Sequence, residues 1–480
     1  MLRYGSPAGR WVLLATVLGS ALAFIDATVV NIALPHIARS VGAGAAALQW
    51  TVNAYTLALT SLILLGGSLG DRFGRRRVFT IGVAWFAAAS LLCGLAPGPA
   101  TLIAARALQG VGGALLTPGS LAILEATFCE EDRARAIGAW SGLGGVAGAL
   151  GPFLGGWLVQ VATWRLVFLI NVPLAALVVA VALRRVPESR NPDAAGRLDL
   201  AGVATAALGL GGVTYGFTAW TAHGPGWPGV PIALGAGAAA LLAFVLVERR
   251  QAHPMLPLQV FASRPFTAAN LATFAIYAAL GGVIFLVVLQ LQVVAGFAPL
   301  AAGTAILPVT LLMLAFSARA GALAQRIGPR TPMTLGPALC AGALLVLARV
   351  GPHASYAWNV LPGVLLLGAG LSLTVAPLTA TVLGSVEERH AGIASGVNNA
   401  VARAAGLLAV AVLPLAGGLG RGNLTDPRAL DPVFRRAMVE CAVLLLAGAV
   451  VSFTLLPART GGRTPGGAAP GPSPARAPAR

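Results

Sequence analysis

Fourteen apolar runs, each long enough to cross a bilayer, constrain the fold of this 480-residue chain more than any other feature. A helix needs about 20 apolar residues to span the hydrocarbon. Inside lipid each backbone N–H and C=O must be satisfied within the segment, so each run has to be a helix. The runs are 11–35, 48–70, 78–96, 101–125, 136–160, 165–183, 199–220, 230–248, 266–294, 301–324, 332–350, 358–383, 393–417 and 437–457. Only 10% of the residues are charged, where a soluble domain carries roughly a quarter. The expected fold class is therefore an all-α polytopic membrane protein with 14 transmembrane helices. The first run is too long for a signal-peptide core and has no cleavage pattern, so it reads as a retained span. From Ala458 onward the chain is Pro, Gly, Ala and Arg without apolar periodicity, which predicts a disordered tail.

All 32 basic residues are arginine, and the formal net charge is +17. That balance does not point to nucleic acid, because no basic stripe interleaved with aromatics occurs. The arginines lie in short loops, where they orient spans. With the N-terminus inside, 23 of the 32 fall in inner segments and 7 in outer ones, among them Arg39, Arg165 and Arg349. Two, Arg106 and Arg403, lie within spans. This bias predicts both termini in the cytoplasm and a multi-pass protein of the cell membrane. Cys93, Cys129, Cys340 and Cys441 have neither metal spacing nor a disulfide framework. They read as small apolar fillers. No metal site and no cofactor is expected.

The chain repeats itself. GSLGDRFGRR starts at Gly67, after the second run, and GALAQRIGPR starts at Gly321, after the tenth. Gly110, Gly112 and Pro118 are echoed by Gly368, Gly370 and Pro377. Duplicated halves mark transporters. Six runs repeated as six leave runs seven and eight as an extra pair. The predicted architecture is two pseudo-symmetric six-helix bundles, residues 1–185 and 265–457, with an inserted helix pair and linkers at 186–264 and a tail at 458–480.

A charge inside an apolar run is costly, needs a partner or a wet cavity, and is a functional candidate by default. Asp26 lies nine residues before Pro35, about 14 Å from the outer end of the first span. Arg106 lies about 8 Å into the fourth. Their depths overlap, so the two are expected to pair across a cavity. Burial favours the neutral acid and a nearby cation favours the carboxylate, a competition that suits proton exchange. The plainer reading is a static pair that fixes helix packing. Arg106, Gly110, Gly113 and Thr117 share one helix face, suited to a cavity wall or a close helix contact. Glu125, roughly 28 Å further along that helix, cannot pair with Arg106 within it and reads as an interfacial carboxylate. Gln109, Gly113, Asn270, Thr273, Tyr277, Asn399 and Arg403 are candidate cavity-lining residues. Trp50, Asn53 and Tyr55 of the second span are further candidates for the lining, although Trp50 and Tyr55 fall near the outer interface, where an aromatic belt is the commoner explanation. The deep charges, Asp26 against Arg106 and Arg403, leave a net positive interior, which favours neutral or anionic amphiphiles as substrates.

Five motifs in order resemble the major facilitator superfamily, specifically its fourteen-span drug:proton antiporter branch. The loop Gly67–Arg77 is similar to the superfamily's loop motif. LIAARALQGVGGA from Leu102 is similar to the antiporter motif with arginine in span four, and GPFLGG from Gly151 to that of span five. FIDATVVNIALP from Phe24 and WRLVFLINVP from Trp164 resemble the branch's first-span motif and its approach to span six. The resemblance implies two bundles that rock about a central cavity. It implies a conformational latch at Gly67, Asp71, Arg72, Gly74 and Arg75, with Asp71 docking on the N-terminal end of a helix of the other half, near Gly392. Helix N-termini carry partial positive charge, so such a contact is favourable and breakable. Gln325 stands where the second copy would repeat Asp71, which makes the latch asymmetric. Gly151, Pro152, Gly155 and Gly156 are the implied antiporter motif, where proline bends the span and glycine admits a neighbour.

The expected function is proton-coupled export of hydrophobic drugs or antibiotics by alternating access, performed by a monomer. Uptake or exchange of a small nutrient keeps the fold and loses the antiport direction; the span-five motif argues against it. A membrane-embedded lipid-modifying enzyme needs a catalytic cluster, and the five histidines are isolated. The chain is not expected to be an enzyme.

Overall fold

The computed structural model describes residues 1–190, 199–251, 254, 256–386, 391–419 and 424–458. The expected disordered tail beyond 458, and Arg197, Arg389 and Arg421 of the orientation argument, lie outside the described residues.

Among the described residues fourteen helices are long and apolar enough to cross a membrane. They are α1 (Pro7–Val41), α2 (Ala45–Phe73), α3 (Arg75–Leu95), α4 (Pro99–Thr127), α5 (Glu130–Val161), α6 (Leu166–Arg185), α7 (Leu200–His223), α8 (Gly229–Arg250), α9 (Arg264–Val294), α10 (Pro299–Ile327), α11 (Arg330–Leu347), α12 (Tyr356–Gly384), α13 (Ala391–Ala416) and α14 (Pro427–Leu455). Most extend beyond the apolar runs, and at α1 local caps account for the extension. The hydroxyl of Ser6 accepts a hydrogen bond from the Gly9 N–H at the start of α1, and Gly42 ends it in a left-handed conformation. The serine satisfies one of the free N–H groups of the first turn. The tenth span is broken between Thr304 and Leu307, just before Pro308.

The packing pattern shows the duplication. In the N-terminal half α2 packs on α4, α3 on α4, α1 on α5, α3 on α6 and α1 on α6. In the C-terminal half α10 packs on α12, α11 on α12, α9 on α13, α11 on α14 and α9 on α14. Each pair is the earlier one advanced by eight helices, six for the bundle and two for the inserted pair α7–α8. Gly74 (φ 112°) and Gly328 (φ 88°) make equivalent turns after α2 and α10. Both conformations suit glycine and strain other residues.

Glycine sets the helix spacing, as close packing in lipid requires. A methyl on Gly110 would fall 2.8 Å from Ala58 Cβ of α2, and one on Gly112 2.7 Å from the Phe86 backbone of α3. The face of α4 that holds Arg106, Gly110 and Gly113 is thus a close contact with α2, with Gly113 buried against Tyr55 and Leu59.

The halves meet along two seams. In the first, α5 packs against α10 at the end opposite the termini, where a methyl on Gly156 would stand 2.6 Å from Leu300 Cα. Close by, Gln292 of α9 donates to the Ile32 carbonyl of α1 at 2.9 Å. Towards the terminal end the seam parts. Gly138, Gly142 and Gly145 of α5 have open space where a side chain would be, and Leu311, Leu314 and Phe316 of α10 are exposed. In the second seam α2 meets α13, Gln49 donating to the Val410 carbonyl at 3.0 Å. There α7 packs on both helices and covers the junction.

Candidate functional site

Asp26 and Arg106 lie against each other, with Arg106 Nη1 and Asp26 Oδ2 2.5 Å apart. Both are fully buried. The guanidinium also donates through Nε to the Thr51 carbonyl at 2.9 Å and through Nη1 to Gln109 Oε1 at 2.6 Å. Gln109 in turn donates to Asp26 Oδ1 at 2.8 Å and to the Ser90 hydroxyl at 2.8 Å. Asn171 reaches the same two acceptors at 3.4 and 3.3 Å. The Arg106 guanidinium lies 4.4 Å from the centre of the Tyr55 ring. Five helices of the N-terminal half, α1, α2, α3, α4 and α6, thus supply one closed polar network. A buried pair needs such further bonds to offset its desolvation.

The pair is enclosed within the N-terminal bundle, which corrects the expectation that it would straddle a cavity. The close approach of α4 to α2 brings Arg106 into the bundle. Gln109, expected on a cavity wall, is the pair's bridging neighbour. Ser90 carries no signal of its own in the sequence, and Asn171 lies in the quoted motif WRLVFLINVP without any indication of its partner; both join the network through long-range packing.

The cavity lies beside this network, between the halves. It encloses about 160 Å³ and is mostly apolar. Its walls are Thr28, Asn31 and Ile32 of α1, Gly148 and Pro152 of α5, and residues of α9, α10 and α12, including Leu280 and Ile284. Asn31 donates to the Ala27 carbonyl at 3.2 Å, while its Oδ1 has no partner. Thr28 and Asn31 belong to the same motif as Asp26. Helical spacing from Asp26 was the available signal for a second, cavity-facing side of α1. Gly151 and Gly155 press α5 onto Thr28 and Val29 of α1, and Gly156 presses it onto α10.

The other expected lining residues do not border this cavity. Asn270 and Thr273 are buried and share a partner, Asn398 of α13, whose side-chain amide donates to them at 3.2 and 2.7 Å. Asn399 is exposed and donates to the Ser395 carbonyl at 3.0 Å. Tyr277 and Arg403 are partly exposed, the arginine with its Nε buried and unpartnered.

At the turn between α2 and α3, Arg75 donates to Asp71 at 2.8 Å and to the Ala122 carbonyl of α4 at 3.2 Å. Arg72 is exposed, and Gly67 lies near Pro118. A carboxylate from outside the motif completes the turn. Glu188 accepts from the backbone N–H groups of Arg76 and Arg77 at 3.0 and 3.2 Å and caps α3, a favourable place for an anion. The expected dock of Asp71 at Gly392 involves side-chain surroundings outside the described residues. Glu125 is exposed near this turn, within electrostatic reach of Arg75, Arg133 and Asp71.

Duplicated six-helix bundles, an inserted pair and a cavity between the halves define a polytopic membrane protein of transporter architecture. Residues 16–410 match the model of the Major Facilitator Superfamily, and the chain belongs to that family. It is 36% identical over 440 residues to the multidrug resistance protein Stp of Mycobacterium tuberculosis (strain CDC 1551 / Oshkosh), covering 90% of this chain and 81% of that one. It is also 36% identical over 449 residues to the cephamycin export protein CmcT of Amycolatopsis lactamdurans, covering 93% and 92%. Among solved structures, an inward-facing, unoccupied bacterial homolog of the human lysosomal transporter Spinster shares the fold, with a TM-score of 0.66 at 19% identity over 94% of this chain and 97% of that one.

Proposed function

We propose that this protein exports hydrophobic drugs or antibiotics in exchange for protons, acting as a single chain in the cell membrane with both termini in the cytoplasm. One observation carries the reading. Helix α1 bears the Asp26–Arg106 pair on one side and the cavity-lining residues Thr28, Asn31 and Ile32 on the other. Any shift of α1 that accompanies substrate movement therefore acts on the pair. Export by relatives such as CmcT supports the direction, and the arginine bias supports the orientation. In this frame the cavity is sealed from the outside.

The proton works as follows. While Asp26 is ionised it holds Arg106, and the network is closed. Protonation removes the attraction, frees α1 from α4, and permits the alternate state. Thermodynamically, one charge crossing 100 mV supplies about 2.3 kcal/mol. Everted vesicles loaded with a pH-sensitive dye test this. Addition of a transported compound is expected to release protons, and a C-terminal tag is expected to be protease-accessible in the same vesicles. Export without any proton movement, or a protected tag, would refute the respective half of the proposal.

Asp71 acts in this scheme by exchanging partners, Arg75 in the state described and the start of α13 in the other. Asp71→Asn is expected to slow turnover several-fold with expression unchanged. Wild-type turnover in that variant would reduce Asp71 to a local partner of Arg75 at the end of α2.

A further inference from the structure

Arg403 lies 12 residues into α13, roughly 18 Å from its start. Among the described residues it has no ion pair and no hydrogen-bond acceptor, and its Nε is buried without a partner. The ionisable groups that act on it are Tyr55 of α2 and Tyr277 of α9. Neither is a carboxylate. An unpaired guanidinium at this depth is costly and calls for a partner.

The surroundings of Arg403 are also short of partners. Gly396, Arg403 and Val410 are seven residues apart and so share a face of α13. The ends of that face meet α2. Gln49 bonds to Val410, and a methyl on Gly396 would stand 3.3 Å from Leu64. Arg403 therefore opposes the middle of α2. There, Asn53 is fully buried with both side-chain polar atoms unpartnered, and Thr60 has an unpartnered hydroxyl on the same helix face. The Tyr55 hydroxyl is unpartnered as well. Buried polar groups normally find partners, and a cluster of orphans around one cation calls for an explanation.

We infer that Arg403, Asn53 and Thr60 form a binding site between the halves for the anionic group, a carboxylate, of an amphiphilic substrate. The inference rests on the export reading and names the substrate class of that pathway. A guanidinium binds a carboxylate through two parallel bonds, and the amide and hydroxyl supply further donors. The apolar remainder has a surface close by, since Tyr277 is one turn from Leu280, a wall residue of the cavity. Access comes from the open end, where Asn399 is exposed one turn from Arg403. A lipid headgroup does not reach mid-span, so the ligand is a free molecule.

The test uses three probes that share one fluorophore: pyrene-1-butyrate, its methyl ester and the cationic 1-pyrenemethylamine. Binding to the full-length protein in detergent is read by energy transfer from tryptophan. The wild type is expected to bind the carboxylate at least about tenfold tighter than the ester, the low end for a desolvated charge pair, and the amine weakest. Arg403→Gln is expected to abolish the preference and leave ester binding unchanged. Arg403→Lys is expected to keep the preference at lower affinity. Equal binding of carboxylate and ester by the wild type would overturn the inference, as would a preference that survives in Arg403→Gln. If Arg403→Gln fails to fold, Asn53→Leu serves: it removes a donor amide beside the guanidinium and is expected to shrink the preference without abolishing it, and an undiminished preference there would overturn the inference. No gradient is present, so a failure of proton coupling leaves this result untouched. Asp26→Asn is expected to retain the preference.

Discussion

Asp26→Asn is expected to abolish uphill export while sparing downhill exchange. The asparagine fills the same space between Gln109 and Arg106 and keeps an acceptor for the guanidinium. It cannot take up or release a proton. In the wild type, each exchanged proton sustains about a 50-fold gradient of a neutral substrate per 100 mV, the equivalent of 2.3 kcal/mol, and more for an anion, whose exit moves a second charge. The variant is expected to sustain none, so substrate equilibrates to equal concentrations on both sides. Arg106→Ala removes the charge that draws the proton off and is expected to stall the same cycle with the acid neutral. Accumulation in reconstituted vesicles under an imposed gradient is the measurement. Accumulation by Asp26→Asn at the wild-type level would place coupling elsewhere, with Glu125 the next candidate.

The second large effect is conformational. A side chain at Gly156 would meet Pro299 O and Leu300 Cα, each 2.6 Å from the added carbon, where carbon contacts settle at about 3.5–4.0 Å. These are backbone atoms and cannot swing aside. Gly156→Val must therefore part α5 from α10 at the sealed end. Overpacking of this kind costs about 1–3 kcal/mol. Only one of the two states bears that cost, so their ratio shifts by roughly 5- to 150-fold. A cysteine placed at Asn31, with the four native cysteines replaced, is expected to react faster with an impermeant maleimide added from the sealed side. Gly66→Ala is the control. Its methyl would meet the Ala114 backbone, but both residues lie within the N-terminal half. It is expected to cost stability and leave labelling unchanged. Equal labelling of Gly156→Val and wild type, at equal expression, would show that this contact does not hold the seal.

The fourteen spans were legible because lipid forces apolar runs into helices, and runs of this length are unambiguous. Their ends were not, since Ser6 and Gly42 extend α1 beyond the apolar run through caps that hydropathy does not register. The nearness of Asp26 to Arg106 followed from their depths along α1 and α4. Their enclosure did not, because depth says nothing of which side of a helix faces its own bundle. The same limit explains Asn398 and Asn399. Asn399 and Arg403 were read as cavity wall, yet Asn398 makes the contact with Asn270 and Thr273. One residue is a 100° turn of a helix. The rotation of α13 is set by its approach to α9, where a methyl on Gly281 would stand 2.7 Å from Gly406 Cα. The glycines were visible in the sequence; their pairing was not.

The coverage of the α2–α13 seam by α7 has a consequence for how potency is measured. With that flank closed and the α5–α10 flank parted, a compound dissolved in the membrane has one side door, and the concentration it presents there is that of the leaflet. Each added methylene is worth about 0.8 kcal/mol of transfer into an apolar phase, a roughly fourfold enrichment. Half-saturation values in a homologous series, expressed per volume of water, therefore fall by that factor per methylene even when the cavity discriminates nothing. Dividing by the partition coefficient leaves the part of the selectivity that belongs to the protein.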